Sequence, residues 1–249
     1  MNLQQIREEC WDLARDIAPV DQDRLWPTRE MNRYINRVYK RIASETRCIR
    51  DNATTSVCLI TVAPVDYTTY EAGTLDYIWA NDPGSWLYQA DVCPYLLDLH
   101  DSIIQIDEAK WAKRQWKLVK VSARKWQTNP WWERVKGMPT EYATDLTVGK
   151  IALNFRDETE DTLHLQVRRM PLEELKDDKD VPEFRINYHE FFINGVLMHM
   201  YSKQDSEAFD GAKMLKFKEA FLQDIDEIKQ QETQLEEYLR PNYSLSAFR

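Results

Sequence analysis

The sequence predicts an α+β fold, a helical bundle built from the N- and C-terminal segments with an antiparallel β domain inserted between them. Three observations carry this. Apolar residues recur at helical spacing in the first fifty residues and again beyond residue 188. Between about 55 and 170 the period switches to two, and Pro and Gly punctuate the chain. Neither helical end can bury its apolar stripe alone, so the two should pack together.

Taken in order, Leu3, Ile6, Cys10, Leu13 and Ile17 form the first helical stripe, closed by Pro19 and the acidic Asp21–Asp23 stretch. A second helix opens at Trp26-Pro27, because proline fits a first helical turn. Its stripe is Met31, Ile35, Val38 and Ile42, with gaps of four, three and four, and it runs to about Thr46. Ser56–Val62, Ser102–Asp107 and Lys117–Ser122 read as strands, as do the alternating Ile151, Leu153, Phe155 and Leu163, Leu165, Val167. Arg156–Asp161 reads as a hairpin connection between the last two. Turns are expected at Pro64, Asp82-Pro83-Gly84, Pro94, Asn129-Pro130, Gly137 and Pro139. Pro171 to Pro182 is a charged connector, expected to be a solvated loop. Tyr188–Tyr201 is nearly apolar on two sides and should be central. After Gln204-Asp205-Ser206, a long helix carries Met214, Phe217, Phe221, Ile225 and Ile228 on one face and ends before Pro241. The domains expected are 1–50 with 185–240 (helical bundle), 51–184 (inserted β domain) and 241–249 (extended tail).

Composition narrows the function classes. The 249 residues are 43% hydrophobic and 12% aromatic, with a net charge of −9. Such aromatic content argues against disorder, and the acidity argues against nonspecific coating of nucleic acid. Only six glycines are present, which disfavours phosphate-binding loops. No apolar run approaches the ~20 residues that span a bilayer, and the start lacks a leader-like apolar stretch. A soluble protein made in a cytoplasm is expected. Cys10, Cys48, Cys58 and Cys93 form no CxxC pair and read as packing residues. His100, His164, His189 and His199 show no metal-ligand spacing, and His164 falls on the polar side of its strand. GxSxG, P-loop and GxGxxG motifs are absent from the sequence. Paired carboxylates are permitted by the 42 acids but no spacing singles out a pair. No enzyme, metal or cofactor is expected.

One stretch is electrically distinct. Lys110, Lys113, Arg114, Lys117, Lys120, Arg124 and Lys125 lie within sixteen residues that contain no acid. Trp111, Trp116 and Trp126 are interleaved, with Trp131 and Trp132 just beyond. Basic and aromatic residues together can build a groove for single-stranded nucleic acid. The favoured reading is a two-stranded ribbon whose basic edge meets protein. Lys113, Arg114, Trp116 and Lys117 are its candidate contacts with a neighbouring subunit or a tail protein.

The helical ends carry a further pattern. The segment WPTREMNRYINRVYKRIASETR, Trp26 to Arg47, holds Ile35-Asn36 and Ile42-Ala43. Pro182-Glu183, Tyr188-His189-Glu190, Met200-Tyr201 and Asp205-Ser206-Glu207 follow in order, then Phe217 and Phe221. Gly149 to Leu153 and Arg169-Met170-Pro171 bound the last two strands. In these segments, about half its length, the chain resembles the head-to-tail adaptor (connector) proteins of tailed bacteriophages. The stretch from about 65 to 145 matches no such pattern and reads as an elaborated insertion.

The resemblance implies a structural virion protein at the head–tail junction. It implies a homo-oligomeric ring, a dodecamer, beneath the portal protein, extending the DNA channel toward a downstream tail or nozzle protein. Genomic DNA would pass without sequence-specific binding, consistent with an acidic wall. It also implies that the C-terminal extension embraces the portal, through Pro241, Tyr243, Leu245, Phe248 and Arg249. A tail terminator or gatekeeper, or a carbohydrate-binding module or hydrolase using the Trp-rich sheet, are the other readings.

Overall fold

The computed structural model describes residues 1–16, 18, 20–63, 96–127, 137–155, 159–203 and 209–239. The expected turns at Pro64, 82–84, Pro94 and 129–130, the residues Ile17, Pro19, Cys93, Trp131 and Trp132, and the tail 241–249 lie outside them. So do 156–158 of the hairpin connection and the break at 204–206. The chain divides into two units, 1–50 with 169–249, and 51–168.

The helical unit holds α1 (Leu3–Ala14), α2 (Thr28–Thr46) and, after the β region, two further helices in its C-terminal part. Asn2 caps α1 in a reciprocal box with Gln5. The helix ends at Ala14, one turn earlier than its apolar stripe suggests, and Arg15 takes a left-handed conformation (φ 61°). The chain folds back there because the connection is pinned: Trp11 Nε1 donates to Trp26 O at 2.9 Å, and the Arg24 guanidinium lies 3.6 Å over the Trp11 ring. Trp26 is itself buried and donates to Met200 O at 3.0 Å. The α2 stripe faces inward as predicted, with Met31, Ile35, Val38 and Ile42 all at 0% exposure.

Residues 169–184, assigned from sequence to the β insertion, pack with the helices instead. Leu175 and Phe184 lie in the helical core. The charged connector is a loop exposed over most of its length, as expected, and it is also tied down as a strap. The Asn36 side chain bonds both backbone groups of Leu175, at 2.8 and 2.9 Å. The carbonyls of Asp178 and Asp180 accept from Gln4 and Leu3, orphan donors in the first turn of α1. Arg7 reaches Asp178 at 2.5 Å.

A 3₁₀ segment (Ile186–Phe191) leads into the central helix, and a 29-residue helix, Gly211–Leu239, follows. Described below as α5 (Phe192–Tyr201) and α6 (Gly211–Leu239), they complete one core with α1 and α2. Phe221, Ile225 and Ile228 of α6 are buried there with Val38 and Ile42.

The unit 51–168 carries the helical turns α3 (Thr55–Cys58) and α4 (Arg124–Gln127) and two four-stranded sheets. The first has the order β1-β8-β2, with β4 also paired to β8: β1 (Arg50–Asp51), β2 (Leu59–Val62), β4 (Ile103–Trp111) and β8 (Asp161–Arg169). The β2–β8 pair is antiparallel, with Ile60 opposite Leu163. The second runs β3 (Leu96–Asp98), β7 (Lys150–Leu153), β6 (Glu141–Ala143), β5 (Val119–Lys120). Its β5–β6 pair is parallel, an exception to the antiparallel expectation; the twenty residues between them supply the crossover that parallel pairing needs. Leu163, Leu165 and Val167 point into the core at 0% exposure, as their alternation predicts. Ser56–Val62 is only half strand, because Thr55–Cys58 forms a helical turn that buries Val57 and Cys58.

Candidate interaction surfaces

The basic ribbon starts where β4 ends. Lys110 bridges Lys117, and Gln115 takes a left-handed turn conformation (φ 58°), so the chain reverses within a few residues. The aromatic residues then part company. Trp111 is 1% exposed and donates to Pro139 O; Trp126 is 7% exposed and donates to Glu141. Trp116 is 60% exposed, and Val119 beyond it 61%. The interleaved tryptophans therefore do not form one stacking platform.

The cations are also largely engaged inside their own unit. Lys113 Nζ donates to the Glu160 carbonyl at 2.8 Å. Arg114 bonds Thr159 Oγ1 and approaches the buried carboxylate of Asp161 at 3.7 Å. Lys117 pairs with Glu108 at 2.6 Å, and Lys125 with Glu141 at 2.5 Å. Hydrogen bonds from Lys125 and then Trp126 hold the Glu141 carboxyl below the usual range. Among the described residues Lys110, Lys120 and Arg124 meet no carboxylate. The exposed residues of the ribbon whose side chains bond no partner among the described residues are Trp116, Val119, Lys120 and Arg124, and of the four contacts expected from sequence only Trp116 is among them.

The histidines sit apart, each in its own surroundings. His189 is buried between the α-amino group of Met1 (2.7 Å) and Phe184 O (3.2 Å), and desolvation lowers its pKa. His164 Nε2 donates to the Asn52 carbonyl at 2.8 Å. Among the described residues no group of three His, Cys, Asp or Glu could hold a metal ion, and no helix is long and apolar enough to cross a membrane. Cys10, Cys48 and Cys58 are buried, and burial pushes the Cys48 thiol up to about 11.

The exposed part of the ribbon is a candidate interaction surface, and comparison with known proteins supplies a family. The family model described as SU10 adaptor protein matches residues 1–244. The chain belongs to that family. It is a bacteriophage structural adaptor protein, and the match extends through the β region that carries no motif legible by eye. A search of curated proteins finds no match.

One surface of the adaptor was missed from sequence. Between residues 28 and 43, α2 has four exposed positions, and all are basic: Arg29, Arg33, Arg37 and Lys40. Their spacing of four, four and three is readable in the sequence, on the face opposite the apolar stripe. A shallow groove beside this row is lined by Asn32, Asn36, Leu175 and Lys176.

Proposed function

We propose that the adaptor assembles as a ring of twelve copies beneath the portal, extends the DNA channel toward the tail, and takes no part in catalysis. The observation that carries this is the family match over residues 1–244. In this reading the segment 241–249 attaches to the portal through Tyr243, Leu245 and Phe248, apolar groups on a segment that Pro241 separates from α6. The ribbon, with Lys113, Arg114, Trp116 and Lys117, meets a neighbouring subunit or tail protein. The 60% exposure of Trp116 supports such a contact, since an exposed aromatic is a frequent interface anchor. DNA passes without sequence-specific contact, helped by a subunit charge of −9.

The test is native mass spectrometry of the adaptor with its portal. A portal complex holding a ring of adaptors is expected. Deleting 241–249 should leave thermal stability nearly unchanged and abolish the complex. Wild-type affinity in the truncated chain would remove the tail from this role; absence of any portal complex would remove the reading.

A further inference from the structure

We infer that the acidic outer face of α1 docks against the basic outer face of α2 in a second copy of this chain. This rests on the ring reading and assigns surfaces to it. The exposed positions of α1 are Gln4, Gln5, Glu8, Glu9, Asp12 and Leu13, with no base among them. Glu8 takes only the amide of Gln4, and Glu8, Glu9 and Asp12 enter no ion pair among the described residues. The α2 row is equally unsatisfied. Arg29 and Arg37 meet no carboxylate among the described residues. Arg33 comes no closer than 3.6 Å to Glu30, whose oxygens already take Tyr34 and Lys203. Lys40 pairs with Glu174, but both side chains are 51% exposed, and such a pair contributes little.

The two rows match in pitch as well as sign. Glu8 and Asp12 are four residues apart, and so are Arg33 and Arg37; each step is about 6 Å along a helix axis. One register therefore forms two pairs at once. Both helices turn their inner faces to the same core, and among the described residues no ion pair joins their outer faces within one molecule. A second copy can bring them together. Leu13, 57% exposed at the end of the acidic face, would bury against the aliphatic stems of the arginines. Because two different faces meet, the contact is head-to-tail, the kind that propagates around a closed ring. Duplex DNA fits less well: the chain carries −9, and Glu174 sits in the groove beside the row.

The test uses two charge-reversed chains, Arg33→Glu with Arg37→Glu, and Glu8→Lys with Asp12→Lys. All four sites are exposed, so circular dichroism should show unchanged folding. Self-association is followed by sedimentation, alone and on the portal, at low and high salt. Each variant alone should associate at least about tenfold more weakly than wild type, and high salt should weaken the wild type. An equal mixture of the two, which restores opposite charges at every contact, should recover assembly, as should one chain carrying all four changes. Wild-type association in both variants would overturn this interface and leave the ring reading standing. A wild-type chain that stays monomeric alone and on the portal would overturn both. Unchanged self-association in the Arg33→Glu, Arg37→Glu chain, with loss of duplex DNA binding, would make the row a nucleic-acid surface.

Discussion

Val38 of α2 and Phe221 of α6 meet over Gly195 of α5. A Cβ placed on Gly195 would lie 2.8 Å from Val38 Cγ1 and 2.9 Å from Phe221 Cε2. The glycine is needed for closeness, since its backbone is ordinary helix. Gly195→Ala gains about 1 kcal/mol of helix propensity but forces the two stripes apart. Overpacking a filled core costs about 1–3 kcal/mol, so the expected net effect is a loss of up to about 2 kcal/mol. Urea unfolding measures it; an unchanged or raised midpoint would show that the three helices can separate freely.

The second test concerns Glu232, an acid 3% exposed on α6. Arg50 donates to it through Nε and Nη2 at 3.1 and 2.8 Å, and the Tyr188 hydroxyl donates at 3.0 Å. Burial, then the bond to Glu232, raise the Tyr188 pKa. Arg50→Ala leaves a buried carboxylate with one partner fewer and should cost about 3–5 kcal/mol. Tyr188→Phe removes a single hydrogen bond to a charged group and should cost about 1.5–3 kcal/mol. If Arg50→Ala proved no more costly than Tyr188→Phe, water would be supplying the missing contact.

The helical stripes were legible because burial selects side chains at a fixed period. Met31, Ile35, Val38 and Ile42 and the Phe221, Ile225, Ile228 series could be read without knowing their partners. The strap at 169–184 was not legible. Its buried Leu175, Pro182 and Phe184 follow no regular spacing, and it is held by Asn36 and by its own carbonyls that accept from the first turn of α1, none of which leaves a period in the sequence. The ribbon illustrates the same limit. Composition showed seven cations, but which of them are neutralised depends on Glu108, Glu141 and Asp161, brought near by strand pairing. Val119 and Lys120 look outward because β5 is an edge strand, a property of topology.

That pairing makes the ribbon's cations unequal. Asp161 is 1% exposed, and Arg114 is the cation nearest its Oδ2. Arg114→Glu places a second negative charge beside a buried one and should cost about 2–4 kcal/mol. Lys117→Glu disturbs an exposed pair with Glu108 and should cost less than about 1 kcal/mol. Trp116→Ala should leave stability within about 0.5 kcal/mol while weakening assembly. Thermal melts alongside sedimentation separate these; equal destabilisation by Arg114→Glu and Lys117→Glu would show that Arg114 does not act on the buried Asp161.

The last prediction concerns His199. Its ring stacks on Tyr34 at 5.7 Å, and its Nε2 is buried with no hydrogen-bond partner. Desolvation, then the charges of Arg37 and Arg41, lower its pKa from 6.5 to about 4. The folded state therefore keeps the ring neutral across a range in which the unfolded chain binds a proton. Stability from this group is complete above pH 6.5 and is lost as pH falls from 6.5 toward 4, since the unfolded state is the one that gains protons. The loss should be about 1–3 kcal/mol over that interval. His199→Phe preserves an aromatic ring against Tyr34 and binds no proton, so its stability should fall less over the same range. His189, also lowered by burial, and Glu30, whose carboxylate bonds Tyr34, titrate in both proteins and cancel in the difference. Denaturant unfolding of both chains at half-unit steps from pH 7 to pH 4.5 gives that difference. Parallel curves would show that His199 is protonated in the folded protein, with Arg37 and Arg41 turned away from it.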